Sequence, residues 1–175
     1  MKIFIIGFMG CGKTTVGKKL AARLSLDFID LDHIIEESEQ MSIVDIFNKK
    51  GEVEFRNRET KYLSEIVERD NFLISLGGGT PCFNNNINLI KAGGVSVYLK
   101  MDSEDLYGRL KQSKSKRPLI AGKSEAELKK YIEITLRERE PYYSLADLIV
   151  EGKDLDAEKY QDLVFEIKTL ALKEN

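Results

Sequence analysis

Directly behind the apolar run Lys2–Ile6 stands Gly7-Phe8-Met9-Gly10-Cys11-Gly12-Lys13-Thr14-Thr15. Gly7, Gly10, Gly12, Lys13 and Thr14 satisfy G-x-x-x-x-G-K-[ST] in full, a pattern whose chemistry is phosphate binding. Gly7 lets the chain turn off a strand. Gly10 and Gly12 let backbone N–H groups point inward with no Cβ in the way. Those donors and the start of the following helix form an anion nest. Lys13 has the reach for β- and γ-phosphates, and the Thr14 hydroxyl is a Mg²⁺ ligand of the right kind. With glycine near 7% of residues, a chance match somewhere in such a chain is on the order of half a percent. The stretch is therefore read as a nucleoside triphosphate site. Cys11 lies inside the nest, where positive potential favours a thiolate, although any small residue would serve there.

Three more stretches carry groups suited to an acceptor. Asp30-Leu31-Asp32 ends an apolar run; carboxylates two apart on a strand share a face. Strand carboxyl ends line the ligand crevice of α/β sheets, so one acid suits Mg²⁺ and the other a substrate hydroxyl. Arg56 and Glu59 stand one helical turn apart in Glu54–Glu59, a spacing that also fits a surface ion pair of little worth. Gly77-Gly78-Gly79 closes another apolar run and predicts backbone lying directly against a ligand. His33, the only histidine, has no second ligand or nucleophile nearby and is read as a helix-start or surface residue.

The elements that must hold these groups alternate along the chain. Apolar runs at Ile3–Ile6, Phe28–Ile29, Phe72–Leu76, Val95–Leu99 and Leu148–Val150 are short and continuous, as in strands buried on both faces. Between them lie helical patterns: Val16, Leu20 and Leu24 after the glycine loop, and Tyr160, Leu163, Val164, Ile167, Leu170 and Ala171 at the end. Ser42 with Asp45 and Ser124 with Glu127 mark helix starts, and Gly93-Gly94 marks a stop. This order predicts one α/β domain with a parallel sheet. Residues 111–123, basic and holding Pro118 and Gly122, read as a long loop of the lid or binding type. The 175 residues carry 27 basic and 29 acidic side chains, a net charge of −2. That balance argues against a dedicated nucleic-acid binder. Apolar stretches fall well short of the roughly 20 residues of a membrane span. Two cysteines make neither a disulfide framework nor a metal pattern, so a reduced, cytoplasmic setting is expected.

Taken in order, G-x-M-G-x-G-K-T-T (Gly7–Thr15), D-x-D (Asp30–Asp32), F-R-x-x-E (Phe55–Glu59), G-G-G (Gly77–Gly79), R-P-L (Arg117–Leu119) and R-x-P-x-Y (Arg139–Tyr143) resemble the shikimate kinase family. The resemblance implies a three-layer α/β/α fold like that of nucleoside monophosphate kinases, with a five-stranded parallel sheet in the order 2-3-1-4-5. It implies a substrate-binding subdomain over about 33–61 and a lid over about 112–124. The implied reaction joins the γ-phosphate of ATP to the 3-hydroxyl of shikimate, a step towards chorismate and the aromatic amino acids. ATP contacts fall on Gly10, Cys11, Gly12, Lys13, Thr14, Thr15, Arg109 and Arg117. Shikimate falls to Asp32, Arg56, Gly78 and Arg139, and Mg²⁺ to Thr14 and, through water, Asp30. Lys13, Asp32 and Arg117 are the catalytic set. Arg109 and the stretch around Lys153 lie about where the family encloses adenine. Ser75 stands where many P-loop enzymes carry a metal-binding aspartate, as it does in the family resembled. The implied partners are shikimate and ATP, with no nucleic acid and no membrane, and the chain acts as a monomer. A regulatory GTPase would need N-K-x-D, and Asn48–Gly51 lacks the aspartate. Asp105–Gly108 satisfies D-x-x-G but falls in a helical stretch.

Overall fold

The computed structural model describes residues 1–112 and 119–172. Five strands, β1 (Lys2–Ile6), β2 (Asp27–Asp30), β3 (Phe72–Ser75), β4 (Val95–Lys100) and β5 (Leu148–Glu151), form a parallel sheet in the order β2-β3-β1-β4-β5. The centre of the sheet is fixed in register by Ile3 opposite Leu73 and Ile5 opposite Val97. β1, β3 and β4 are buried nearly throughout, as their continuous apolar runs predict. The expectation of burial on both faces fails at the sheet edges. Of the four β2 residues only Ile29 is buried, and Ile149 of β5 is 52% exposed. An edge strand has a neighbour on one side only, so less of the molecule covers it.

Among the described residues, seven helices connect and flank the strands: α1 (Lys13–Leu24), α2 (Leu31–Glu39), α3 (Ile43–Val67), α4 (Asn86–Gly93), α5 (Ser103–Gln112), α6 (Glu125–Tyr143) and α7 (Ala157–Ala171). They cover the sheet on both sides, with α1 and α7 packed together and α3 against α4. Val16 and Leu20 of α1, and Tyr160, Leu163 and Ile167 of α7, are the buried stripes. The caps fall where their residues stand. The Ser42 side chain accepts from the Asp45 N–H, Ser124 and Glu127 close a reciprocal capping box, and α4 stops against Gly94. α3 is broken at Gly51, whose φ of 82° and ψ of 170° separate two helical segments.

In a parallel sheet every strand delivers its carboxyl end to the same edge. Gly7 after β1, Asp30 at the end of β2 and Leu76–Gly79 after β3 are therefore neighbours in space, although Gly7 and Gly79 stand 72 positions apart in the chain.

Candidate functional site

Two adjoining clefts open along that edge. One, of about 260 Å³, is bounded by Gly10, Gly12, Lys13, Thr14, Asp30 and Ser75. The other, of about 310 Å³, is bounded by Arg56, Glu59, Arg139, Phe47, Phe55 and Leu119. Met9, Asp32, Gly77 and Gly78 belong to both walls. A group held in the second cleft thus faces the first across Asp32.

The first cleft is the expected cradle. Gly7, Gly10 and Gly12 have φ of 141°, 83° and 104°, conformations that side-chain-bearing residues avoid. A Cβ at Gly7 would also lie 2.7 Å from the Leu99 carbonyl oxygen. Lys13 is buried and folds back on the loop, its Nζ donating to the carbonyls of Gly7 at 2.9 Å and Phe8 at 3.0 Å. Arg109, from α5, donates to the Cys11 carbonyl at 3.1 Å, so one of the cations expected near adenine does touch the loop. Lys153 instead pairs with Asp105 at 2.9 Å. The Cys11 side chain is fully buried and packs beneath Gly7. The thiol thus belongs to the core and the backbone to the nest. The other thiol, Cys82, is pushed up to about 11 by burial.

Thr14 Oγ1 donates to Asp30 Oδ2 at 3.0 Å. These are hard oxygen donors, and Mg²⁺ is held by one or two protein oxygens with the rest from water and phosphate. The pair fits such an ion. No group of three or more His, Cys, Asp or Glu placed to hold a metal occurs among the described residues. The two aspartates reach the cradle by a route other than the one their spacing suggests. β2 ends at Asp30 and α2 begins at Leu31, so Asp32 sits in a first helical turn instead of sharing a strand face. α2 is held on α3 by Glu39, which accepts from Tyr62 at 2.9 Å and pairs with Arg58 at 2.7 Å.

The second cleft is built around an ion pair that surface spacing would undervalue. Arg56 and Glu59 are 5% and 1% exposed. Arg56 Nη1 donates to Glu59 at 2.6 Å and Nη2 to Glu52 at 2.9 Å, while the Thr80 hydroxyl donates to Glu59. Burial pulls the guanidinium down, but the Glu59 charge and hydrogen bonds outweigh it and hold Arg56 above its ordinary value. Arg139 enters from α6. Its Nη1 is buried and makes no hydrogen bond among the described residues. A buried guanidinium nitrogen with no acceptor is costly unless a ligand completes it. Tyr143, four residues on and fully buried, donates to the Gly78 carbonyl. The R-x-P-x-Y spacing thus brings two side chains of one helix face to the same glycine.

Each of the three glycines makes room for a different side chain. A Cβ at Gly77 would lie 2.7 Å from Glu59 Oε1 and 3.2 Å from Asp32 Oδ1. At Gly78 it would lie 3.3 Å from Arg139 Nη1, and at Gly79 between 2.6 and 2.7 Å from three guanidinium atoms of Arg56. The Arg56 fork is pinned by two carboxylates, so it has nowhere to retreat. Gly79→Ala is accordingly expected to displace it and to weaken acceptor binding about tenfold. Titration calorimetry with the acceptor reads this, and unchanged affinity would show that the fork has slack.

Lys13, Thr14, Asp30, Asp32, Arg56, Gly78 and Arg139 line the two clefts along one edge, and Arg109 touches the glycine loop beside them. Arg117 and residues 113–118 of the expected lid lie outside the described residues. Glu59, Thr80 and Tyr143 were not among the expected site residues. The spacing of Arg56 with Glu59 and of Arg139 with Tyr143 carried a signal for two of them; Thr80 carried none.

A family profile described as shikimate kinase matches residues 9–168. The shikimate kinase of Parabacteroides distasonis is 43% identical over 154 residues, 88% of this chain and 89% of that one. A solved shikimate kinase from Bacteroides thetaiotaomicron superposes with a TM-score of 0.87 at 36% identity, covering 100% of this chain and 99% of the other. One from Acinetobacter baumannii, solved in complex with shikimate, gives 0.83 at 34% identity and covers 99% and 94%.

Proposed function

This chain belongs to the shikimate kinase family, and from that premise we propose how its residues divide the transfer of a phosphoryl group from ATP to the 3-hydroxyl of shikimate. The observation that carries the assignment is the shared wall: two arginines line a cleft that shares Met9, Asp32, Gly77 and Gly78 with the phosphate cradle.

Shikimate offers one carboxylate and three hydroxyls on a small ring. Arg56 and Arg139 grip the carboxylate, since a planar guanidinium fork matches two carboxylate oxygens better than an ammonium does. The backbone of Gly78, held by Tyr143, completes that end. Asp32 accepts from the ring hydroxyls and aims the 3-hydroxyl at the γ-phosphorus. An analogue lacking that hydroxyl would leave Asp32 without its donor, which is a source of discrimination.

ATP enters the cradle, where Lys13 exchanges the Gly7 and Phe8 carbonyls for phosphate oxygens and Thr15 and the loop N–H groups hold the α- and β-phosphates. Arg117 adds positive charge from the lid over residues 112–124, and Arg109 lies beside adenine. Thr14, with Asp30 behind it through water, would hold Mg²⁺, which would supply positive charge against the phosphates. The new bond forms between the 3-oxygen and the γ-phosphorus as the bond to the β-phosphate bridging oxygen breaks. The hydroxyl proton leaves towards Asp32. Alignment and charge neutralisation dominate phosphoryl transfer, so a strong base is not required. Residues from 33 to about 61 serve as the substrate-binding subdomain. The enzyme works as a cytoplasmic monomer; no helix among the described residues is long and apolar enough to cross a membrane.

ADP release coupled to NADH oxidation, with shikimate, gluconate and AMP offered in turn, is expected to respond to shikimate alone. Turnover with gluconate or AMP and none with shikimate would overturn the assignment.

A further inference from the structure

The segment between the 3₁₀ turn Thr80–Cys82 and α4 bears directly on Arg56. The Phe83 ring centroid lies 4.3 Å from Arg56 Cζ, nearer than the 5.2 Å of Phe55. Next in the chain, Asn84 Nδ2 donates to Thr60 Oγ1 at 3.0 Å, to the Arg56 carbonyl at 3.3 Å and to Asn57 Oδ1 at 3.4 Å. Asn84 and Asn85 are both left-handed, with φ of 49° and 61°, a conformation asparagine tolerates better than most residues. This double turn aims Phe83 back over α3 while Asn84 ties the loop to the backbone of the residue whose side chain Phe83 covers. Phe83 does not line the acceptor cleft, and the residue is 37% exposed.

We infer that Phe83 is a positioning residue for the acceptor site: its π face stacks on the Arg56 guanidinium and holds the fork at the angle at which it meets the carboxylate. The carboxylates Glu52 and Glu59 fix the guanidinium edge through in-plane hydrogen bonds. Neither resists tilting of the plane as a stacked aromatic ring does. Phe83 touches no reacting atom and acts through Arg56 alone.

This rests on reading the cleft as the shikimate carboxylate site, so the test carries both. Steady-state kinetics on the full chain would compare wild type, Phe83→Leu, Phe83→Tyr and Arg56→Lys, with unfolding temperatures alongside. Phe83→Leu keeps apolar bulk and loses the π face. It is expected to raise KM for shikimate about three- to tenfold, with kcat and KM for ATP changed less than twofold. Phe83→Tyr, which keeps the face, is expected to restore the wild-type KM. A mere packing role would make leucine at least as good as tyrosine. Wild-type KM in Phe83→Leu, or an equal rise in Phe83→Tyr, overturns the inference while Arg56→Lys still raises KM and the site reading stands. If wild type turns over shikimate but Arg56→Lys leaves KM unchanged, the site reading itself falls.

Discussion

Lys13→Met is expected to lower kcat by at least about a hundredfold while shikimate affinity stays within a few-fold of wild type. Methionine keeps the length of the side chain and removes the charge. The loss therefore falls on the developing negative charge of the transferred group, where removal of one well-placed donor typically costs about 10²–10³ in rate. Lys13 also satisfies the Gly7 and Phe8 carbonyls, so a stability loss of about 1 kcal/mol should accompany the kinetic one. The chain has no tryptophan, so calorimetry is the better affinity measurement, and coupled ADP release gives the rate. A Lys13→Met enzyme with near-normal kcat would remove the lysine from the chemistry.

Arg56→Ala should strike twice. Losing a charge-assisted grip on the carboxylate removes about 1.5–3 kcal/mol of binding, roughly ten- to a hundredfold in KM for shikimate. Glu59 is also left buried with Thr80 and without its guanidinium. Breaking a buried ion pair from one side costs about 3–5 kcal/mol, which for a chain of this size lowers the unfolding midpoint by on the order of 10 °C. Adding Glu59→Gln to Arg56→Ala should recover much of the midpoint and none of the affinity, since it removes the orphaned charge and leaves the carboxylate grip missing. Arg139→Ala makes the contrast: its Nη1 has no partner among the described residues, so affinity should fall with much less change in midpoint. Equal destabilisation by both alanines, or a double variant no more stable than Arg56→Ala, would show that the ion pair is not what holds α3 to the glycine loop.

The order of strands and helices was written in local patterns. Continuous Ile/Val/Phe runs, capping serines and the Gly93-Gly94 stop act over a few residues, and the five strands and the helix starts at Ser42 and Ser124 appeared within a residue or two of their expected places. The phosphate cradle was legible for the same reason: Gly7 to Thr15 is one unbroken loop whose backbone angles and donors are set by its own residue types. The acceptor residues Asp32, Arg56, Gly78 and Arg139 were named through a resemblance spread over the chain, and the structure sets all four around one cleft.

What tertiary structure alone decided is which side chains those residues lean on. Burial turned Arg56 and Glu59 from a pair with the spacing of a surface salt bridge into the floor of the site. Steric closeness, with no unusual backbone angle, explains why glycine stands at 77, 78 and 79. The supporting contacts of Thr80 with Glu59, Phe83 with Arg56 and Tyr143 with Gly78 join positions 21 to 65 residues apart. A hydroxyl or a ring in the sequence does not announce its partner. Partnership across such distances is fixed when the sheet brings its strand ends to one edge, and no window of neighbouring residues contains that information.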